Sequence, residues 1–488
     1  MSAIATDVDW CLVLVLLPLA GGLASFLWPR IGAVAGITTA GVFVVAVIGL
    51  AMQIIRHGTY RHVVGGWGAP LGIDLYVDGL SLVMLCVTAL VGLTISVYSS
   101  RYFPPEVARR FWPLWLFLLS ALNALFVSAD IFNLYVTLEL LGLAAVALAA
   151  LTGSADALLG AMRYVLATLL GSLSFLLGIA LLYQAYGTVD ITTLGERVEE
   201  SPALWAALGL IGAGLALKTA LFPLHFWLPP AHASAPAPVS AALSALVVKG
   251  SFYILLRLWL ELFASVTVGV EALFGVLGAI AILWGSVQAL RQTRIKLLVA
   301  YSTVAQIGYL FIAFPLAAGN SVAAWSAAAY LAFAHALSKA AMFLAAGNLL
   351  RFGGHDRIAD LDRVVQRLPI TASAFALAGV SIMGLPPSAG FVGKWLLLET
   401  AVAQGRWGLA GVMLIGGVLA AAYVFKVLGS AFTEAQTPHA PLPVPVPATM
   451  EWAALLLALV AILAGFTGSA LLFVLNLGNP FASIGAAL

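Results

Sequence analysis

Apolar residues run through this chain in blocks of roughly twenty, the length a helix needs to cross the hydrocarbon of a bilayer. Short stretches carrying Gly, Pro, Asp or Arg separate the blocks. The blocks fall at roughly 10–28, 32–55, 76–99, 111–128, 131–151, 158–186, 204–228, 239–261, 264–290, 296–316, 322–350, 370–400, 407–431 and 450–475. The pattern therefore predicts an all-α integral membrane protein of about fourteen transmembrane helices. The first block reads as a span, not a cleavable signal. Asp7 and Asp9 precede it where a signal peptide carries positive charge, and no small-residue cleavage site follows before the second block.

Two of the blocks carry their own interruptions. In the seventh, Pro223, Pro229 and Pro230 remove helical hydrogen bonds and clash with the preceding turn. Gly384, Pro386, Pro387 and Gly390 do the same in the twelfth. Irregular backbone at membrane depth survives only where protein packs around it or where it lines a watery cavity. The interrupted blocks lie five apart, as expected if helices four to eight are repeated in inverted orientation by helices nine to thirteen. The resulting organisation is a three-helix segment over 1–110, five-helix repeats over 111–261 and 262–431, and a proline-rich connector with the last helix over 432–488. The prolines from Pro438 to Pro447 favour an extended spacer.

Composition removes the soluble alternatives. Hydrophobic residues make up 63% of the 488 residues and charged ones 9%, against about 25% charged in a soluble domain; mean hydropathy is +1.08. The net charge of +2 offers no polycationic surface for nucleic acid. Cys11 and Cys86 lie in apolar blocks with no CxxC, which suits neither a disulfide framework nor a metal centre. With the N-terminus outside, the inner connections gather Arg30, Arg101, Arg109, Arg110, Arg163, Arg291, Arg294, Lys296, Arg351, Arg357, Arg363 and Arg367. The outer ones hold Arg56, Arg61, Arg197, Arg257 and Arg406, diluted by Glu196, Glu199, Glu200, Glu261 and Glu271. Both termini are thus expected outside, because Lys and Arg favour the cytoplasmic side.

The charges left inside the blocks carry the chemistry. A charge at mid-membrane costs at least about 2.5–3.5 kcal/mol, so an ionisable residue there points to function. Glu139, Lys218, Lys249 and Lys394 all lie too deep to snorkel. The alternative for each is a static ion pair fixing helix packing, the less favoured of the two. His335 and Lys339, four apart on one helical face, are placed to link the middle of the bundle to span twelve. His225 and His232 flank the first interruption, as gates for water or as polar anchors. Lys426 and Arg163 lie nearer span ends, where snorkelling accounts for them. One acid among several lysines suggests a loading switch. Burial disfavours a charged ammonium and a nearby carboxylate restores it; about 7 Å apart, such a pair interacts by about 2.4 kcal/mol at an effective dielectric of about 20. Making or breaking the Glu139–Lys218 pair would load or release a proton, which could pass through Lys249, His335 or Lys339, and Lys394.

At these residues the sequence resembles the antiporter-like membrane subunits shared by respiratory complex I, membrane-bound hydrogenases and the multisubunit cation/proton antiporters called Mrp. The resemblance rests on DIFNLYVTLE ending at Glu139, KTALFPLHFWLP from Lys218, APAPVSA before Lys249, KLLVAYST from Lys296, HALSKA from His335, and GLPPSAGFVGK ending at Lys394. It implies a fourteen-helix fold with two inverted five-helix repeats, and a proton path using the glutamate and lysines at these positions. It also implies partner membrane subunits in a bacterial cell membrane, protons and Na⁺ as the ions moved, and no cofactor on this chain. The FNLYV wording is most similar to the D-type subunits of the Mrp antiporters. A complex I subunit type of the same length and charges is the alternative, and relatives in inorganic-carbon uptake share the pattern. As an enzyme in its own right the chain would need a GxGxxG in a βαβ setting, a P-loop or a CxxC, and it has none. An inert scaffold would have no need of a buried acid and several buried lysines.

Overall fold

The computed structural model describes residues 8–69, 72–264, 269–317, 322–435, 444–478 and 481. The first half runs through α1 (Trp10–Leu27), α2 (Gly32–His57), α3 (Gly79–Tyr102), α4 (Pro105–Val127), α5 (Ile131–Ala149) and α6 (Ala155–Tyr186). The short α7 (Ile191–Arg197), then α8 (Pro202–Thr219), α9 (Leu228–Ser234) and α10 (Ala237–Phe263) complete it. The second half comprises α11 (Val270–Arg291), α12 (Ile295–Leu316), α13 (Val322–Gly353), α14 (Pro369–Met383), α15 (Ala389–Ala403), α16 (Trp407–Phe432), α17 (Ala448–Leu463) and α18 (Gly468–Leu475). A small antiparallel hairpin, β1 (Tyr60–Val63) with β2 (Asp74–Val77), joins α2 to α3 and pairs Tyr60 with Val77. Polar caps start the helices where the apolar blocks begin: the side chains of Asp9, Asp78, Asp130, Ser154, Ser201 and Ser388 each accept from the backbone N–H three residues on.

Among the described residues, twelve helices are long and apolar enough to cross a membrane, and α17 with α18, bent by 86°, makes a thirteenth if taken as one span. Two expected spans are therefore not straight. The block at 370–400 is two 15-residue helices, α14 and α15, separated at Gly384–Ser388, where Gly384 adopts φ +82° and the two prolines cannot donate. The block at 450–475 turns at Gly465, whose backbone lies so close to Pro387 that a Cβ there would stand 1.7 Å from the Pro387 carbonyl oxygen. Elsewhere α8 stops at Thr219 instead of running to 228, and α4 begins six residues before the expected 111, with Pro105 at its first turn. The proline-rich connector expected over 438–447 lies largely outside the described residues.

Depth in the bundle follows from the apolar pattern. The most apolar 18-residue stretches of α10 and α13 are wholly buried and that of α12 nearly so, as helices that are hydrophobic all round should be. Lys249, His335 and Lys339 therefore sit at the centre. The connections sort into two faces. On one, Arg351 donates to the Arg101 carbonyl (2.9 Å) and Arg294 pairs with Asp356 (2.8 Å). On the other, Tyr60 donates to Asp9 (3.2 Å), Arg61 bridges Asp74 and Asp190 (2.8 Å each), and the Gly79 N–H donates to the Leu477 carbonyl (2.8 Å). The first and last described segments thus meet the same, aspartate-rich face.

Candidate functional site

The first interruption places one buried cation at the end of a helix. The chain leaves α8 through Ala220, in the left-handed region at φ +61°. The carbonyls freed there are taken up locally: Trp227 Nε1 donates to the Leu217 carbonyl (2.9 Å) and the Leu221 N–H to that of Ala216 (3.0 Å). Trp227 is held by stacking on Tyr164 of α6 at 4.5 Å. Lys218, two residues before this turn, reaches α5 and donates to Glu139 Oε1 at 2.7 Å. Ser172 of α6 donates to the same oxygen. The pair is in contact, closer than the separation of about 7 Å taken for the expected switch. Beside it lies a cavity of about 10 Å³ lined by Tyr164, Thr168, Lys218 and Ser251, the lower limit for one water.

Hydroxyl groups continue from this pair to the central lysines. Thr219, next to Lys218, donates to Ser251 of α10 (3.1 Å). Lys249, 1% exposed, donates to the Ser244 carbonyl across a π-helical turn at Leu243–Val247. Ser244 Oγ meets Thr303 Oγ1 of α12 at 2.9 Å, and Thr303 donates to the Val299 carbonyl (3.0 Å). Lys339 donates to that same carbonyl (3.1 Å) and to Ser302. Neither ring nitrogen of His335, 2% exposed, has a hydrogen-bond partner among the described residues, and the charges bearing on it are Lys249, Lys339 and Lys394.

The second interruption places the last lysine. Gly384 leaves room for Lys394, whose Cδ would stand 2.7 Å from a Cβ at 384. The Lys394 ammonium reaches back to the Ile382 carbonyl (2.6 Å), lies 4.2 Å from the centre of the Tyr309 ring and borders a cavity of about 360 Å³. Gln306, one turn after Ser302 on α12, donates to the same Ile382 carbonyl (3.4 Å). Hydrogen bonds thus tie Glu139 to Lys218, Lys249 through Ser244 and Thr303 to the carbonyl that Lys339 also meets, and Lys394 to the carbonyl that Gln306 meets, while His335 lies among the lysine charges without one.

Other charges lie elsewhere than expected. Arg257, counted with the outer connections, is 5% exposed inside α10 and clasps fully buried Asp78 together with Ser81 and Tyr253. Lys296, counted with the inner connections, is 3% exposed and donates to the Ala233 and Ala235 carbonyls. His232 is fully buried and no interfacial anchor, whereas His225 is half-buried against Phe222. Lys426 donates to the Leu290 and Gln292 carbonyls (2.7 Å each), capping the end of α11, and Arg163 is exposed. At the start of α5, burial pushes the Asp130 carboxyl up from its usual range; hydrogen bonds from Asn133 and Phe132 oppose this, and the charges of Asp190 and Asp74 add to it. The linking hydroxyls carry no sequence signal of their own, since Ser and Thr are frequent in these blocks.

Residues 128–421 match the family described as NADH:quinone oxidoreductase/Mrp antiporter, and residues 67–111 match that described as NADH-ubiquinone oxidoreductase (complex I), chain 5 N-terminus. The chain belongs to this antiporter-like family. It is 35% identical over 394 residues to the N subunit of the NADH-quinone oxidoreductase of Desulforudis audaxviator, covering 79% of this chain and 78% of that one. It is 28% identical over 408 residues, 82% of each chain, to the D subunit of the Na⁺/H⁺ antiporter of Bacillus subtilis. A chain of the Mrp complex from Dietzia sp. shares the fold over 99% of both chains at TM-score 0.89 and 23% identity. A chain of Thermus thermophilus respiratory complex I, covering 95% of this chain and 98% of its own, matches at 0.76 and 26%.

Proposed function

We propose that this chain is the proton-translocating subunit of a multisubunit Na⁺/H⁺ antiporter, working beside other membrane subunits and not as an enzyme alone. The Glu139–Lys218 contact carries the reading. A buried ammonium and a part-buried carboxylate held 2.7 Å apart stabilise each other's charge; separating them frees the lysine to give up its proton. Lys249, His335, Lys339 and Lys394 then pass it laterally. The family membership and the Bacillus subtilis antiporter relative support this assignment. A second reading, the proton-pumping subunit of a complex I-type or membrane-hydrogenase assembly, is favoured by the 35% identity to the Desulforudis audaxviator oxidoreductase chain. The partner subunits that copurify with the chain, and whether Na⁺ or a redox substrate drives flux, separate the two. In either case Glu139→Ala or Lys218→Ala should abolish cation- or substrate-driven proton flux while the complex still assembles; wild-type flux in either would end the proposal.

The same reading takes the fold as fourteen crossings with inverted repeats over 111–261 and 262–431, in a bacterial cell membrane with both termini outside. Support comes from the meeting of the first and last described segments at one face and from the gathering of arginines at the other. A cysteine placed beside Arg357 should be shielded from an impermeant thiol reagent outside intact cells, and one beside Glu199 labelled. The reverse pattern would invert the orientation.

A further inference from the structure

Arginines on the aspartate-rich face find partners within the protein: Arg61 bridges Asp74 and Asp190, and Arg197 donates to the Tyr186 carbonyl (3.1 Å). Arg56, in the last turn of α2, is exposed and makes neither an ion pair nor a hydrogen bond among the described residues. It borders a cavity of about 390 Å³ where the start of α1 meets the end of α2, walled also by Trp10, Gly49, Met52, Gln53 and His57. No carboxylate lines this cavity. Asp9, which heads α1, is engaged instead by the Leu12 N–H (3.2 Å), Tyr60 (3.2 Å) and His62. The polar wall offers donors. Gln53 Oε1 is buried without a partner, which leaves the amide N–H groups as the end that can face the cavity. His57 is pinned beside it, its Nδ1 donating to the Gln53 carbonyl (3.2 Å).

Below the donors the wall is apolar. The Trp10 ring lies flat on the backbone at Gly49, where a Cβ would stand 2.5 Å from it. Val45, Gly49, Met52 and Arg56 recur at helical spacing on one face of α2, and Val45 and Met52 are exposed. In a membrane-spanning chain such a strip faces acyl chains, and the end of the helix is where headgroups begin. The cations of this last turn also complement the negative end of the α2 dipole, but that role asks for no cavity. A ligand for the groove needs acceptor oxygens and a negative charge at one end and an apolar tail at the other. We propose that the groove binds an anionic phospholipid, with the phosphodiester on Arg56 and Gln53 and an acyl chain along Val45, Gly49 and Met52. A guanidinium is matched to phosphate by its paired N–H groups. A zwitterionic lipid fits less well, because its ammonium meets a wall with no carboxylate, and a free phosphate leaves the apolar strip unused.

The test uses the assembled complex in phosphatidylcholine nanodiscs containing a trace of phosphatidylglycerol or phosphatidylcholine with a photoactivatable acyl chain. Peptide mass spectrometry then locates the crosslinks. The phosphatidylglycerol probe should mark residues 45–56 several times more strongly than the phosphatidylcholine probe. Arg56→Gln should lower its yield there about fivefold, the effect of one basic residue at an anionic membrane surface. Arg30→Gln, at an exposed arginine of the opposite face, should leave the yield unchanged. Glycerol phosphate in excess should not displace the label. Equal marking by the two probes, or an undiminished yield in Arg56→Gln, overturns the site. Displacement by glycerol phosphate would make the groove a pocket for soluble phosphate, and no label at 45–56 would mean that a partner subunit covers it; either result ends the lipid assignment. The comparison of the two probes on the unaltered chain decides without any substitution, and none of these outcomes depends on the proton-translocating reading.

Discussion

The two helix interruptions hold their lysines in opposite ways. At the first, Lys218 lies before the break and finds a carboxylate on a neighbouring helix, with Trp227 capping the freed carbonyl behind it. At the second, Lys394 lies after the break and reaches back across it to a main-chain carbonyl and the face of Tyr309. A carboxylate is a full charge that can itself be protonated or moved away, whereas a carbonyl dipole and a ring quadrupole are fixed features of the fold. On the proposed reading the first interruption can switch its partner's charge, whereas the second offers its lysine only fixed dipoles. Similar breaks in a chain need not perform similar work.

The largest expected effect breaks the switching end. Lys218→Arg keeps the ion pair with Glu139 but cannot release its proton at any working pH. Loss of proton flux with unchanged assembly is expected; wild-type flux would make Lys218 a structural cation and erase the contrast. A smaller effect is expected at the steady end. Lys394→Glu should retain partial flux, because a carboxylate beside the cavity still exchanges protons with water there. Its pH optimum should move toward acid, since carboxylates titrate below ammonium groups. Lys218→Glu should retain none, because it faces Glu139 as a like charge. Equal loss in both would remove Lys394 from the end of the path. The smallest effect sharpens the geometry: Gly384→Ala forces an L-residue into the left-handed region, at a cost of about 1–2 kcal/mol, and crowds Lys394. A lowered unfolding temperature with flux reduced but not lost is expected; an unchanged temperature would mean the turn relaxes freely.

What the sequence discloses follows from how rare each signal is. A charge within an apolar block stands out at once, so Glu139 and the deep lysines are visible, and the structure buries Lys218, Lys249 and Lys339 and part-buries Lys394. Proline marks both interruptions for the same reason. Thr219, Ser251, Ser244, Thr303 and Ser302 are not visible, because hydroxyls in apolar helices usually bond their own preceding turn, as Thr88 does to Met84 and Ser96 to Gly92. Arg257 is misplaced by its position along the chain because its distance from the block's end says nothing of the Asp78 waiting on α3. His232 looks like a surface group because it follows prolines, yet the chain after those prolines turns inward. The bend at Gly465 leaves no mark, since a single glycine is ordinary in a membrane helix.

That bend bears on how the molecule is made. The stretch from Gly465 to Leu477 lies against Pro387 at the second interruption and bonds the start of α3 through Leu477 and Gly79. A ribosome delivers this stretch after everything it touches, and a chain released before it would carry the whole lysine file without the piece that lies over the second interruption. Packing of the second interruption is thereby tied to the order of synthesis: an incomplete chain lacks the backbone that lies against Pro387, and a quality-control protease meeting that chain would find the turn there less covered.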